Sequence, residues 1–172
     1  MSKLDTIPLG CMGNKKYELK MLLPIIKQQI TNDSIFVEPF CGSCIVSFNV
    51  SQTNTHVKIH VNDLDNLRIQ FYKNMIDENE RKKLYKLEQE VLEKGIDFYN
   101  EIVKGNKNDY LKYVVSKRIH TFRYGIFPLN KKIILKQISN NWINFFKCSK
   151  LTNKDYKEIF DEYRDNEHAF YI

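Results

Sequence analysis

The stretch from Ile35 to Cys44, Ile-Phe-Val-Glu-Pro-Phe-Cys-Gly-Ser-Cys, constrains this chain more than any other. Ile35, Phe36 and Val37 read as a short buried strand, because the run is apolar and rich in β-branching. Pro39 and Gly42 then break it, and Ile45 to Val50 resumes an apolar pattern that suits a helix. Strand, tight glycine turn and helix form the local geometry in which backbone amides and a helix N-terminus face a polar ligand. The chain is therefore read as α/β, built outward from this unit.

A second strand is expected at Val57–Val61, where apolar and polar residues alternate as in a half-buried strand. It ends in Asn62-Asp63-Leu64-Asp65. A carboxylate roughly 20 residues after a glycine turn, at the end of the next strand, is placed to accept hydrogen bonds from ribose hydroxyls. The same residues also suit a plain helix cap, and spacing alone leaves both readings open. Only Gly42 stands in the turn, so the full Gly-x-Gly-x-x-Gly fingerprint of an ordinary dinucleotide-binding domain is missing.

Upstream, residues 9–17 form a glycine-punctuated loop that leads into a helix marked by Leu19, Leu22, Leu23, Ile26 and Ile30. Pro24 inside that run predicts a kink or a second start. Residues 51–55 read as a polar loop. Leu67, Phe71, Met75 and Ile76 predict a helix after the acidic turn, and Leu84, Leu87 and Val91 another that stops at Gly95. Residues 96–138 are expected to be mainly helical, with breaks at 105–108 and 125–128. Ile143, Phe145 and Phe146, preceded by Trp142, suggest a third strand, Asp155 to Tyr163 a short helix, and Ala169–Ile172 a fourth strand.

The 172 residues carry a formal charge of +6, and the excess is local. Eight basic residues and one acid lie between Gly105 and Lys136, interleaved with Tyr110, Tyr113, Phe122, Tyr124 and Phe127. Cations that neutralise phosphates, beside aromatic planes that stack on bases, point to nucleic acid. Lys117, Arg118, Arg123, Tyr124, Lys131 and Lys132 are the candidate contacts; a solvated helix face is the plainer alternative. No apolar run approaches the roughly 20 residues of a membrane span, and the first residues show no signal-peptide core, so no membrane partner and an intracellular setting are expected. Cys41-x-x-Cys44 lacks a second cysteine or histidine pair at zinc spacing, so no metal is assigned and the thiols read as small residues of a turn. His56 and His60 are not assigned as ligands for the same reason.

Taken in order, Gly13-Asn14-Lys15, Phe36-Val37-Glu38-Pro39-Phe40-Cys41-Gly42-Ser43 and Val61-Asn62-Asp63-Leu64-Asp65 resemble the motifs of the Dam-type adenine-N6 DNA methyltransferases. Arg123-Tyr124-Gly125 is similar to that family's Asn-Arg-Tyr-Gly stretch. Phe146-Lys147-Cys148, ahead of Asp155-Tyr156, is similar to the strand that follows its DNA-reading domain. The resemblance implies a Rossmann-like methyltransferase sheet, here partial, with a mainly helical DNA-recognition insertion. It implies S-adenosylmethionine as cofactor and double-stranded DNA as substrate. Gly13 and Lys15 would contact the methyl donor, Glu38, Pro39, Phe40 and Gly42 would form the turn against its amino-acid end, and Asp63 would hold the ribose. Cys44 stands where the family usually has glycine, which would crowd the turn.

The implied organisation is a cofactor-binding half at residues 1–75, a helical target-recognition insertion at 76–138, and a return to the sheet at 139–172. The family's catalytic Asp-Pro-Pro-Tyr would follow Ala169–Ile172, and neither it nor an Asn-Pro-Pro variant occurs in the sequence, so no catalytic residue is assigned. The expectation is an adenine-N6 DNA methyltransferase, of restriction–modification type, whose catalytic motif comes from a missing C-terminal part or from a second chain. The alternative is a non-catalytic relative that binds DNA or a partner.

Overall fold

The computed structural model describes residues 6–11, 13, 15–105, 108–119 and 137–172. Among them are four strands and eight helices. The strands form one parallel sheet in the order β3-β2-β1-β4. β1 (Ile35–Glu38) is central, with Ile35 opposite Lys58 on one side and Ala169 on the other. β2 (Lys58–Asn62) lies next to it, β3 (Lys150–Thr152) flanks β2, and β4 (Ala169–Tyr171) flanks β1.

The helices cover this sheet because strands of a parallel sheet are buried on both faces. α1 (Leu19–Gln29) continues through Pro24 as one helix, so the expected second start is not there. α2 (Ile45–Thr53) buries Ile45, Val46, Ser47, Phe48 and Val50, and it extends into the stretch expected as a loop. α3 (Asn66–Asn74) follows the acidic turn. α4 (Glu78–Lys94) starts at Asp77, whose side chain accepts from the amides of Asn79 and Glu80, and ends at Gly95 with φ +76°. α5 (Ile96–Lys104) and α6 (Asp109–Ile119) complete a helical layer with its own small core of Val91, Tyr99, Val115 and Ile119. Tyr113 and Val114, on α6, pack instead into the main core.

Two further expectations are corrected. Trp142, Ile143, Phe145 and Phe146 form no strand: they are the buried face of α7 (Asn140–Cys148), capped by the Ser139 hydroxyl, which accepts from Trp142 N. Their spacing of one, three and four residues is helical, and Trp142 stacks on Phe48 of α2 with ring centroids 3.8 Å apart. The Phe146-Lys147-Cys148 piece of the resemblance therefore lies on this helix, and the strand is the next segment, β3. β2 is also more enclosed than its alternation implies. His60 is 1 % exposed, and its ring nitrogens bond to the Tyr163 and Thr152 hydroxyls. α8 (Tyr156–Glu162) opens with a capping box between Asp155 and Glu158 and leads into Tyr163, which covers that face.

Among the described residues no helix is long and apolar enough to cross a membrane.

Candidate functional site

At the carboxyl ends of β1 and β2, three segments meet. The Glu38 side chain turns inward, where its carboxylate accepts from the amide and hydroxyl of Ser47 on α2. Burial pushes its pKa up to about 7, against the opposing pull of the Ser47 bonds and with a small addition from Asp63. Pro39 is buried and its carbonyl accepts from Asn62 Nδ2 at 3.0 Å, while Phe40 points outward, 66 % exposed.

The turn is then tied to the end of β2. Cys41 N donates to Asn62 O at 2.8 Å, and Gly42 N donates to Asp63 Oδ2 at 2.9 Å. Gly42 sits at φ +48°, a left-handed conformation that favours glycine, and a Cβ there would come 3.2 Å from Cys11 Sγ. Cys44 also takes a positive φ, +56°, the one described residue other than glycine to do so. The position where a glycine was expected is thus a glycine-like one, and its thiol is wholly buried. Burial raises the pKa of both Cys41 and Cys44, so each stays a neutral thiol rather than a reactive thiolate.

Asp63 is more than a helix cap. Its other oxygen accepts from Asp65 N at 2.9 Å, and the actual N-cap of α3 is Asp65, whose carboxylate accepts from Arg68 N. Arg68 is the residue that sequence reasoning missed. Its Nη1 donates to Gly42 O at 3.0 Å, and its guanidinium lies 3.5 Å from Asp63 and 3.7 Å from Asp65. Nε finds no hydrogen-bond acceptor among the described residues. Tyr72 OH donates to the same Gly42 carbonyl at 2.5 Å. Arg68 follows the capping Asp65 at an i,i+3 spacing that favours ion pairing, which was the available signal.

Two further elements shape the rim. Asn153 Nδ2 donates to the carbonyls of Asp63 and Leu64 at 2.8 and 2.9 Å, fixing the loop after β2 against the loop after β3. Phe40 meets Tyr156 with centroids 5.5 Å apart, and Leu64 and Tyr156 are 71 % and 40 % exposed. Gly13 (φ +70°) and Lys15 are solvent-facing in the loop that brings Cys11 beside Gly42.

The basic candidates divide. Lys117 Nζ stands 5.7 Å from the Tyr113 ring. Arg118 faces inward: its guanidinium pairs with both oxygens of Glu88, and Nη1 donates to Pro8 O at 2.6 Å. Arg123, Tyr124, Lys131 and Lys132 lie outside the described residues.

The family model of the D12 class N6 adenine-specific DNA methyltransferases matches residues 12–124. The chain belongs to this family. In a D12-class chain the match spans the Gly13–Lys15 loop, the β1 turn and Asp63, and it runs on through α3 to α6. The sheet is that of a Rossmann-like methyltransferase fold, and the family's reaction is adenine-specific methylation of DNA. No curated protein matches the chain.

Proposed function

We propose that the chain binds S-adenosylmethionine at the carboxyl ends of β1 and β2 and serves adenine-N6 methylation of DNA. The bond from Gly42 N to Asp63, with Arg68 locked onto both, is the single observation that carries this reading. It joins turn and acidic strand end into one cradle, at which Gly42 takes a left-handed φ and any Cβ would press on Cys11 Sγ at 3.2 Å. Asp63 Oδ2 accepts from Gly42 N and faces the Arg68 guanidinium, whereas Oδ1 accepts one backbone amide and keeps a second lone-pair direction for a ribose hydroxyl. Phe40, Leu64 and Tyr156 offer exposed apolar surface at the rim, suited to a planar purine. Glu38, Pro39 and Gly42 shape the turn for the amino-acid end, and Gly13 and Lys15 bound the other side.

The donor supplies an activated methyl group; the residues here hold and orient it. Residues 76–138 are proposed as the DNA-reading insertion, with Lys117, Arg123, Tyr124, Lys131 and Lys132 as phosphate and base contacts. Arg118 is left out because Glu88 and Pro8 engage it. Transfer to adenine N6 requires an acceptor-side motif of the Asp-Pro-Pro-Tyr kind, which is absent from the 172 residues. The decisive experiment is therefore binding. Titration calorimetry should detect S-adenosylmethionine, and Asp63→Ala should weaken it at least tenfold, about 1.5 kcal/mol or more for a charged hydrogen-bond partner. A folded wild-type chain with no heat of binding would end the proposal. Adding duplex DNA and a polypeptide carrying the acceptor motif then separates an enzyme half from a binding relative, by whether methyl label enters the DNA.

A further inference from the structure

Tyr113 belongs to the helical layer, far from the turn in sequence, yet its side chain ends in the site. Its hydroxyl donates to Asp65 Oδ2 at 2.5 Å. Asp65 thereby has both oxygens held, one by Tyr113 and one by Arg68 N. The fixed carboxylate stands 3.7 Å from Arg68 Nη2, and the same guanidinium reaches Gly42 O and Asp63. A continuous chain of polar contacts therefore runs from α6 to the backbone of the glycine turn. Arg118, five positions further along α6, holds Pro8 just before the Gly13–Lys15 loop. One helix thus touches both flanks of the site.

We infer that Tyr113 is a positioning residue of the methyl-donor site, setting the Gly42–Asp63 cradle through Asp65 and Arg68; the inference rests on the donor-binding reading above. The physical reason is that Arg68 has more than one place to go. Its partners Asp63 and Asp65 are 18 % and 33 % exposed at the side chain, so either carboxylate can turn to water if nothing holds it. The Tyr113 hydroxyl removes that freedom from Asp65. The ring itself packs in the main core and would do so without its oxygen. Burial, and the bond to Asp65, push the phenol pKa well above its ordinary value, so the group remains a donor over the whole working range.

The test is Tyr113→Phe, which deletes the oxygen and keeps the ring. The expected result is an S-adenosylmethionine Kd raised about three- to tenfold, the range of one net hydrogen bond. The melting temperature should stay within a few degrees of wild type. In the donor-free chain, the Gly42 amide resonance should shift, a change that a purely core-filling tyrosine would not produce. Asp65→Ala approaches from the other end: in that background Tyr113→Phe should change Kd by less than twofold. A Tyr113→Phe chain with wild-type Kd and an unmoved Gly42 amide overturns the inference alone. A wild-type chain that binds no donor overturns the donor-site reading, and is recognised as such because it precedes any variant.

Discussion

Arg68 and Arg118 have side chains equally hidden, 8 % exposed each, and they sit in regions with opposite characters. In the helical layer, Arg118 meets one fully buried carboxylate, Glu88, in a two-pronged pair, with a carbonyl completing the set. At the sheet's carboxyl end, Arg68 is shared among two partly exposed carboxylates and a carbonyl, and among the described residues its Nε has an ion-pair contact to Asp63 but no hydrogen-bond acceptor. The first arrangement is closed and holds two helices and the N-terminal segment together. The second is spread over two partly exposed carboxylates at the carboxyl edge of the sheet. Equal burial of equal charges therefore goes with a closed fastening in one place and a shared, more open set of partners in the other.

The largest way to break this contrast is Glu88→Ala. It leaves the Arg118 charge buried without its partner and should cost about 3–5 kcal/mol of stability, read by urea unfolding. A loss under about 1 kcal/mol would mean that water already reaches the pair, and the contrast would fall.

Next comes the pH profile. Glu38 holds its proton more tightly in the folded chain, at about 7, than at the ordinary 4.5. Its stabilising contribution is fully present below pH 4.5 and is lost as pH rises through 7, a change of about 3 kcal/mol at ~1.4 kcal/mol per pKa unit. His60 runs the other way: burial lowers it from 6.5 to about 4, so its contribution is present above pH 6.5 and lost as pH falls through 4. The two slopes oppose each other between these values. Glu38→Gln should remove the falling one, so that stability rises with pH across 4.5 to 6.5. Identical pH profiles for the two proteins would show that the Glu38 pKa is the same folded and unfolded.

The smallest effect on stability is expected from Arg68→Met. Asp63 and Asp65 recover water when the guanidinium goes, so the loss should be only about 1–2 kcal/mol. Donor affinity should nevertheless fall at least tenfold, because the cradle loses its tie. If instead Arg68→Met unfolds the chain as readily as Glu88→Ala, the two arginines are the same kind of fastening.

How much of this was legible beforehand follows from distance along the chain. β1, its turn, and Asp63 were read from local residue types, since a β-branched run, a Pro and a Gly act within a few positions. α7 was misread because aromatic residues suggest strand by type while their spacing and the Ser139 cap say helix. β3 has three residues, none buried, and is a strand because β2 lies beside it. The roles of Tyr113 and Arg118 depend on Asp65 and Pro8, contacts separated by 48 and 110 positions. Arg118 looked like any other basic residue of its segment, and only Glu88 decides otherwise.

The order of the sheet has a kinetic consequence. β1 and β2 are separated only by α2 and its short flanking loops and can pair early, but β2 must wait for β3 and β1 for β4 until the whole helical layer has been synthesised. Pairings that span so much chain are slow, because loop closure precedes any gain from contact. The Gly42–Asp63 cradle belongs to the early pair, so a nascent chain can carry a formed turn while its sheet still has two open edges.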